Sequence, residues 1–255
     1  MQWERYRDIV FYRAYAELKA EAQLNYMGCV WWLLEPLLNT VLFYILLVFA
    51  LEQQGSVTLS FLLVGAIVWQ WTSSSIMASS GSIYDAGGML KHIYLPKIVL
   101  PLIVLLTSAW KFLFVFAVLI ASLWIMGYPP SVPYVALPLL LALQMGVNLV
   151  ASLGVAAVIP YFPDARIAVD ALLRSLMLIS GILFPIQKVP EAYQAYFYLN
   201  PLAVLIEAYR NVLMHGLWPS WPMLGAVAAE CVAGLFLMLA CYRRIDLSVV
   251  KTINR

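Results

Sequence analysis

Six stretches of this chain are each long and apolar enough to cross a bilayer: Trp31–Leu51, Leu59–Ser80, Val99–Gly127, Val132–Pro160, Ile167–Phe184 and Met223–Tyr242. A spanning helix needs about 20 predominantly apolar residues. The bilayer interior admits only helices or closed barrels, because no water is present to satisfy free backbone groups. None of the six alternates apolar and polar residues as a barrel strand does, so helices are predicted. The breaks fall on turn chemistry: Gln53-Gln54-Gly55-Ser56, Asp85-Ala86-Gly87-Gly88, Tyr128-Pro129-Pro130-Ser131 and Pro160 to Asp164. Composition agrees, for 64% hydrophobic and 11% charged residues cannot cover a water-soluble surface and exclude a disordered chain. The fold class is an all-α membrane protein, a single transmembrane domain over residues 1–255.

The first 24 residues differ from the rest. Glu4, Arg5, Arg7, Asp8, Arg13, Glu17, Lys19 and Glu21 interleave with Trp3, Tyr6, Val10, Ala14 and Leu18. The apolar positions step by three or four and draw one stripe along a helix. No basic start, apolar centre and small-residue cleavage site mark a secretory signal. An amphipathic helix lying at the membrane interface is predicted, with an ordinary solvated helix as the alternative.

Six spans put both termini on one side, and the Lys/Arg bias selects the inside. With N-in, C-in topology, Arg5, Arg7, Arg13, Lys19, Lys91, Lys97, Arg166, Arg174, Arg243, Arg244, Lys251 and Arg255 are cytoplasmic. Lys188 and Arg210 lie outside and Lys111 within a span. Between spans five and six, Pro185–Trp221 is too polar and too broken by proline to cross simply. Two short helices, at about 192–198 and 202–214, are expected to dip into the outer leaflet and return. Irregular backbone survives at that depth only when buried in protein or lining a cavity.

Several chemistries are excluded. No Walker-type phosphate loop, Gly-x-Ser-x-Gly elbow or His-Glu-x-x-His occurs, so no catalytic residue is assigned. Cys29, Cys231 and Cys241 are scattered, and the two histidines, His92 and His215, stand far apart, so no metal site is expected. A net charge of +2 gives no reason to expect a nucleic-acid partner.

Ionisable residues inside spans are functional candidates, since each costs at least ~2.5–3.5 kcal/mol at a helix centre. Glu35 either lines a water-filled path or reaches the headgroups. Lys111 snorkels, pairs with Glu230 on the last span, or faces a polar lumen. Aromatics form 14% of the chain. Trp31, Trp69, Trp71 and Tyr84 suit interfacial belts, and such rings also offer stacking faces to sugars.

The order of pieces carries a resemblance. Met27-Gly28-Cys29-Val30-Trp31-Trp32-Leu33-Leu34-Glu35-Pro36-Leu37-Leu38 resembles the Leu-Gly-x-x-Trp-x-x-x-x-Pro-Leu entry to the first span in polysaccharide-exporting permeases of the type-2 ABC transporters. Gly88 to Lys97 is similar to the family's basic cytoplasmic segment. Gly181-Ile182-Leu183-Phe184-Pro185, Val189-Pro190-Glu191, Leu199-Asn200-Pro201-Leu202 and Glu207-Ala208-Tyr209-Arg210 resemble its outer-face series. One departure stands out: the family's Phe-Phe-Arg-Asp loop reads Phe162-Pro163-Asp164 here, with the base displaced to Arg166.

The resemblance implies the channel-forming subunit of an ATP-driven exporter of a lipid-linked polysaccharide, capsular or O-antigen type, in the bacterial inner membrane. It implies a homodimer served by two copies of a separate cytoplasmic ATPase, with ATP and Mg bound on that partner and no cofactor on this chain. Residues 85–97 become a coupling helix, with Asp85, Leu90, Lys91, His92 and Tyr94 against the ATPase. Residues 189–214 become an outer gate carrying Pro190, Tyr196, Asn200, Pro201, Glu207 and Arg210. Trp31, Glu35, Trp69, Trp71, Tyr84, Lys111 and Phe184 become substrate-channel candidates. A lipid or drug exporter and a membrane-embedded acyltransferase are the competing readings.

Overall fold

The computed structural model describes residues 2–24, 30–50, 58–86 and 96–245, with side chains left out near some of these edges. Among them are nine α-helices and no strand. α1 is Gln2–Leu24 and α2 is Val30–Ile45, extended by a π-helical turn over Leu46–Ala50. α3 is Leu59–Asp85, α4 Val99–Ile125, α5 Leu137–Val158 and α6 Ala165–Ile179. α7 is Glu191–Tyr198, α8 Pro201–Arg210 and α9 Trp221–Ile245.

Among the described residues, five segments are long and apolar enough to cross a membrane: Val30–Val48, Leu59–Asp85, Val99–Ile125, Val132–Val158 and Trp221–Arg243. They correspond to five of the six expected stretches. The expected span Ile167–Phe184 is instead a 15-residue helix, α6, followed by a tight turn. At ~1.5 Å per residue it reaches about 22 Å, short of the ~30 Å hydrocarbon core. It stops because Gly181 turns the chain at φ 68°, a left-handed conformation that glycine adopts without steric cost. α6 also carries an exposed Asp170–Arg174 ion pair at 2.8 Å, which hydropathy averaged away.

α3 is the hub, packing against α2, α4, α5, α6 and α8. Thr58 caps its N-terminus by accepting from the Phe61 amide at 3.3 Å. Its 27 residues are about 40 Å long, so it extends beyond a hydrocarbon core at one end or both. The main core joins α3, α4, α5 and α8 through Trp69, Trp71, Phe112, Phe116, Leu140 and Tyr209 among others. α9 rests on α5 and leaves Val232, Phe236 and Leu237 exposed, as a lipid-facing helix does.

α1 packs along α4. Its predicted stripe is the contact face: fully buried Ala14, with Tyr6 and Val10, meets Val99, Ile103, Ile98 and Leu106. The two helices run in the same direction, because Ala14 meets Ile103 while Glu21 meets Lys111 further along.

A carboxylate cavity and an arginine latch

Two polar assemblies interrupt this apolar bundle. The first is a cavity of about 370 Å³ between α1, α2, α3 and α4. Glu17 and Glu21 come from α1, Trp32 and Glu35 from α2, Trp71 from α3 and Lys111 from α4. Glu21 ties three helices together. Its carboxylate accepts from the Lys111 ammonium and, at 3.3 Å, from the Trp32 indole N–H. The ammonium also lies 5.6 Å from the Trp32 ring centroid, a cation–π distance.

Lys111 therefore pairs with Glu21 and not with Glu230, which stays exposed on α9. Its 12 positions beyond Val99 place it about 18 Å along α4, level with the end of α1. Glu17 is exposed as a residue, yet loss of water around its carboxyl pushes it above the ordinary value, against the pull of Arg13 and Lys111. Trp71 is 5% exposed and stacks on Phe112 at 4.0 Å. Its buried indole N–H has no partner among the described residues.

The second assembly lies between α6 and α8. The Arg210 side chain, 4% exposed, donates to three backbone carbonyls: Phe61 at 3.1 and 3.2 Å, Gly181 at 2.7 Å and Ile182 at 2.9 Å. Its guanidinium carbon stands 3.3 Å from the Phe61 ring centroid. Asn200 caps α8 by accepting from the Leu202 amide at 3.0 Å, and its amide donates to Ser180 Oγ at 2.9 Å. Gln187 donates to Glu207. Burial and the Glu207 carboxylate together push the Tyr198 phenol up to about 12. The polar groups of the turn after α6 are thus latched to α8 and to the start of α3.

The sequence candidates divide between these assemblies and the surface. Glu35, Trp71 and Lys111 line the cavity together. Trp69 lies in the core, Trp31 and Tyr84 are exposed, and Phe184 meets Phe197 edge-to-face at 5.9 Å. Asn200, Pro201, Glu207 and Arg210 belong to or border the latch, whereas Pro190 and Tyr196 are exposed around α7. Asp85 ends α3 and is exposed. Leu90, Lys91, His92 and Tyr94 lie outside the described residues.

Sequence reasoning missed Glu17, Glu21 and Trp32 in the cavity and Phe61, Ser180, Gly181 and Gln187 in the latch. A signal for the first existed: two glutamates four apart on one helix repel unless a cation lies between them and a neighbour. Also missed was a buried polar row on α5, Gln144, Asn148 and Ser152, one helical turn apart. Gln144 donates to the Val68 carbonyl at 2.8 Å and Thr72 at 3.3 Å. Neither polar atom of Asn148 has a partner among the described residues. There, too, no group of three or more His, Cys, Asp or Glu could hold a metal ion.

The ABC-2 type transporter family profile matches residues 16–214. The chain belongs to that family. Its similarity to the O-antigen export system permease protein RfbA of Myxococcus xanthus is 25% identity over 91% of this chain and 90% of that one. A Klebsiella pneumoniae protein of the same name is 25% identical over 78% of each chain. The polysialic acid transport protein KpsM of Escherichia coli is 27% identical over 85% of each.

Proposed function

We propose that this chain is the transmembrane subunit of an ATP-driven exporter that moves a lipid-linked polysaccharide outward across the bacterial inner membrane. The observation that carries the reading is similarity along nearly the whole chain, 91% of it, to a permease named for O-antigen export. A second relative is named for polysialic acid transport, so the shared element is a saccharide polymer and not one sugar.

In this reading six helices cross the membrane, with both termini inside. α6 is the short crossing, completed by the turn that the latch holds. Its exposed Asp170–Arg174 pair costs too much against lipid and suits a water-filled path between two copies of the chain. The chain carries no cofactor of its own, so ATP and Mg belong to two copies of a separate ATPase. That partner docks on residues 85–97, where the basic and apolar side chains of Lys91, His92 and Tyr94 supply the contact. The latch around Arg210 holds the outer end of the path in shape.

The test pairs genetics with biochemistry. Deleting the gene in its host should abolish the surface polysaccharide, and the intact gene should restore it. The purified chain in lipid nanodiscs should retain a cytoplasmic ATPase and stimulate its hydrolysis. A deletion strain with normal surface polysaccharide but altered lipid or drug efflux would move the chain to another substrate.

A further inference from the structure

Most of the buried side-chain polar atoms that lack a partner among the described residues lie along one seam, between α3 and α5. They are Ser79 Oγ, Gln144 Oε1, both polar atoms of Asn148, and Ser152 Oγ. Two contacts fix the register of the seam. Gln144 bonds Val68 and Thr72 at one end, while Leu153 and Ala157 share a buried cluster with Ile83 at the other. The two helices therefore run in the same direction, and Asn148 and Ser152 fall level with the α3 turns that carry Ser75 and Ser79. All four side chains are 0% exposed.

A buried donor or acceptor without a partner destabilises the state that buries it, whereas an apolar side chain of the same shape does not. The closed seam is thus an unfavourable place for these groups, and their hydration favours any state in which water reaches them. The seam is also built from small side chains, including Ser79, Ser152 and Ala156, so separation there forfeits few dispersion contacts. A source of water lies close by. Ser75 shares a hydrogen bond with Ser108 of α4 at 2.8 Å, and Ser108 lines the carboxylate cavity. That cavity, at about 370 Å³ and walled by carboxylates, is roomy and polar enough for several waters, each with a share of roughly 30 Å³.

We propose that α3 and α5 part along this seam during the transport cycle, and that water from the carboxylate cavity passes the Ser75–Ser108 pair to reach Ser79, Asn148 and Ser152. Gln144, the member of the row that has partners, is the end that stays closed. Leucines at these positions would lock the two helices together; the polar row keeps them separable. The proposal rests on the export reading above and adds a moving element to it.

Thiol labelling in cells tests this. Ser79→Cys and Ser152→Cys are each placed in a chain that also carries Cys29→Ala, Cys231→Ala and Cys241→Ala. The probe is 2-aminoethyl methanethiosulfonate, which reacts with thiols that water reaches. Labelling should be at least tenfold faster in exporting cells than in ATP-depleted ones. Equal rates in the two conditions, or no labelling in either, overturn the proposal. Should the cysteine substitutions themselves block export, Asn148→Leu in the natural chain decides. Its Tm should match or exceed that of the wild type while export falls severalfold. Unchanged export overturns the proposal, as does a loss of export that follows a loss of Tm, since the polar group would then serve the closed state. Failure of the unmodified chain to restore export to a deletion strain is a different result, which removes the export reading itself.

Discussion

Lys111 and Arg210 are both cations among apolar helices, and the structure holds them in opposite ways. Arg210 is 4% exposed, and its guanidinium reaches the carbonyls of three residues on two segments. Lys111 keeps 27% of its side chain exposed and meets a single carboxylate, itself 41% exposed, on the wall of a cavity. A planar fork filled by fixed backbone acceptors has nowhere to move. An ammonium with one side-chain carboxylate partner can exchange it for another. The Arg210 assembly is therefore a structural clamp, and the cavity assembly is suited to respond to a ligand.

Arg210→Ala should give the largest effect. It leaves the carbonyls of Phe61, Gly181 and Ile182 without their donor, at a cost of ~1–3 kcal/mol for each buried orphan. The variant should fail to accumulate, or melt well below the wild type in detergent. Arg210→Lys should recover little, because a point charge cannot serve acceptors on α3 and beyond α6 at once. A wild-type Tm in either variant would break the contrast.

Gly181→Ala tests the other half of the clamp. The added methyl would need a left-handed backbone at φ 68° and would stand 2.9 Å from Ile186 Cγ1. A cost of ~1–3 kcal/mol is expected for the backbone alone. Against an Ile186→Ala background, which removes both Cγ1 and Cδ1, Gly181→Ala should retain only the backbone part of the cost, which unfolding curves of the single and double variants would separate.

The row on α5 sharpens the rule that satisfaction, and not burial alone, sets the cost. Gln144 and Asn148 are equally buried, but Gln144 bonds the Val68 carbonyl while Asn148 has no partner among the described residues. Gln144→Leu should destabilise by about 1 kcal/mol, whereas Asn148→Leu should be neutral or stabilising. The reverse order in thermal unfolding would show that Asn148 is satisfied by water or by another chain.

Lys111→Met should change stability by less than ~1 kcal/mol, as expected for a half-exposed ion pair. Its export should nonetheless fall, because Glu21 loses the ammonium that positions it. Equal loss of Tm and export would place Lys111 with Arg210 and end the distinction.

The two regions were unequally legible in the sequence. Hydropathy found five membrane-length helices, and the stripe Tyr6, Val10 and Ala14 marked the packed face of α1, because both signals are periodic and local. The proline-rich motifs pointed to helices at 192–198 and 202–214, near α7 and α8. Ile167–Phe184 was misjudged in length because an average over apolar residues cannot see one glycine turning the chain. Arg210 was singled out, but its acceptors are backbone carbonyls, which every residue carries and no pattern marks. The cavity needed Glu21 to meet Lys111, 90 positions away. That pairing depends on α1 running along α4, a matter of packing and not of spacing.

The smallest effect expected is a pH dependence of α1 docking. Glu17 loses water where it faces the cavity, and this raises its pKa above the ordinary value of about 4.3. A carboxyl raised on folding binds its proton more tightly in the docked state. Its contribution is thus complete below the ordinary value and is lost as pH rises through the raised one. The groups facing it are Arg13 and Glu21 on α1 and Thr107 and Lys111 on α4. Arg13, Lys111 and the Thr107 hydrogen bond oppose the shift, while Glu21 adds to it, so the sign tests which influence dominates. Limited proteolysis within α1 should be slower at pH 5 than at pH 7, and Glu17→Gln should flatten the difference. If α1 instead loosens at pH 5, the ionic contacts outweigh desolvation, and the cavity is held shut by its charges as firmly as the Arg210 clamp is held by its carbonyls.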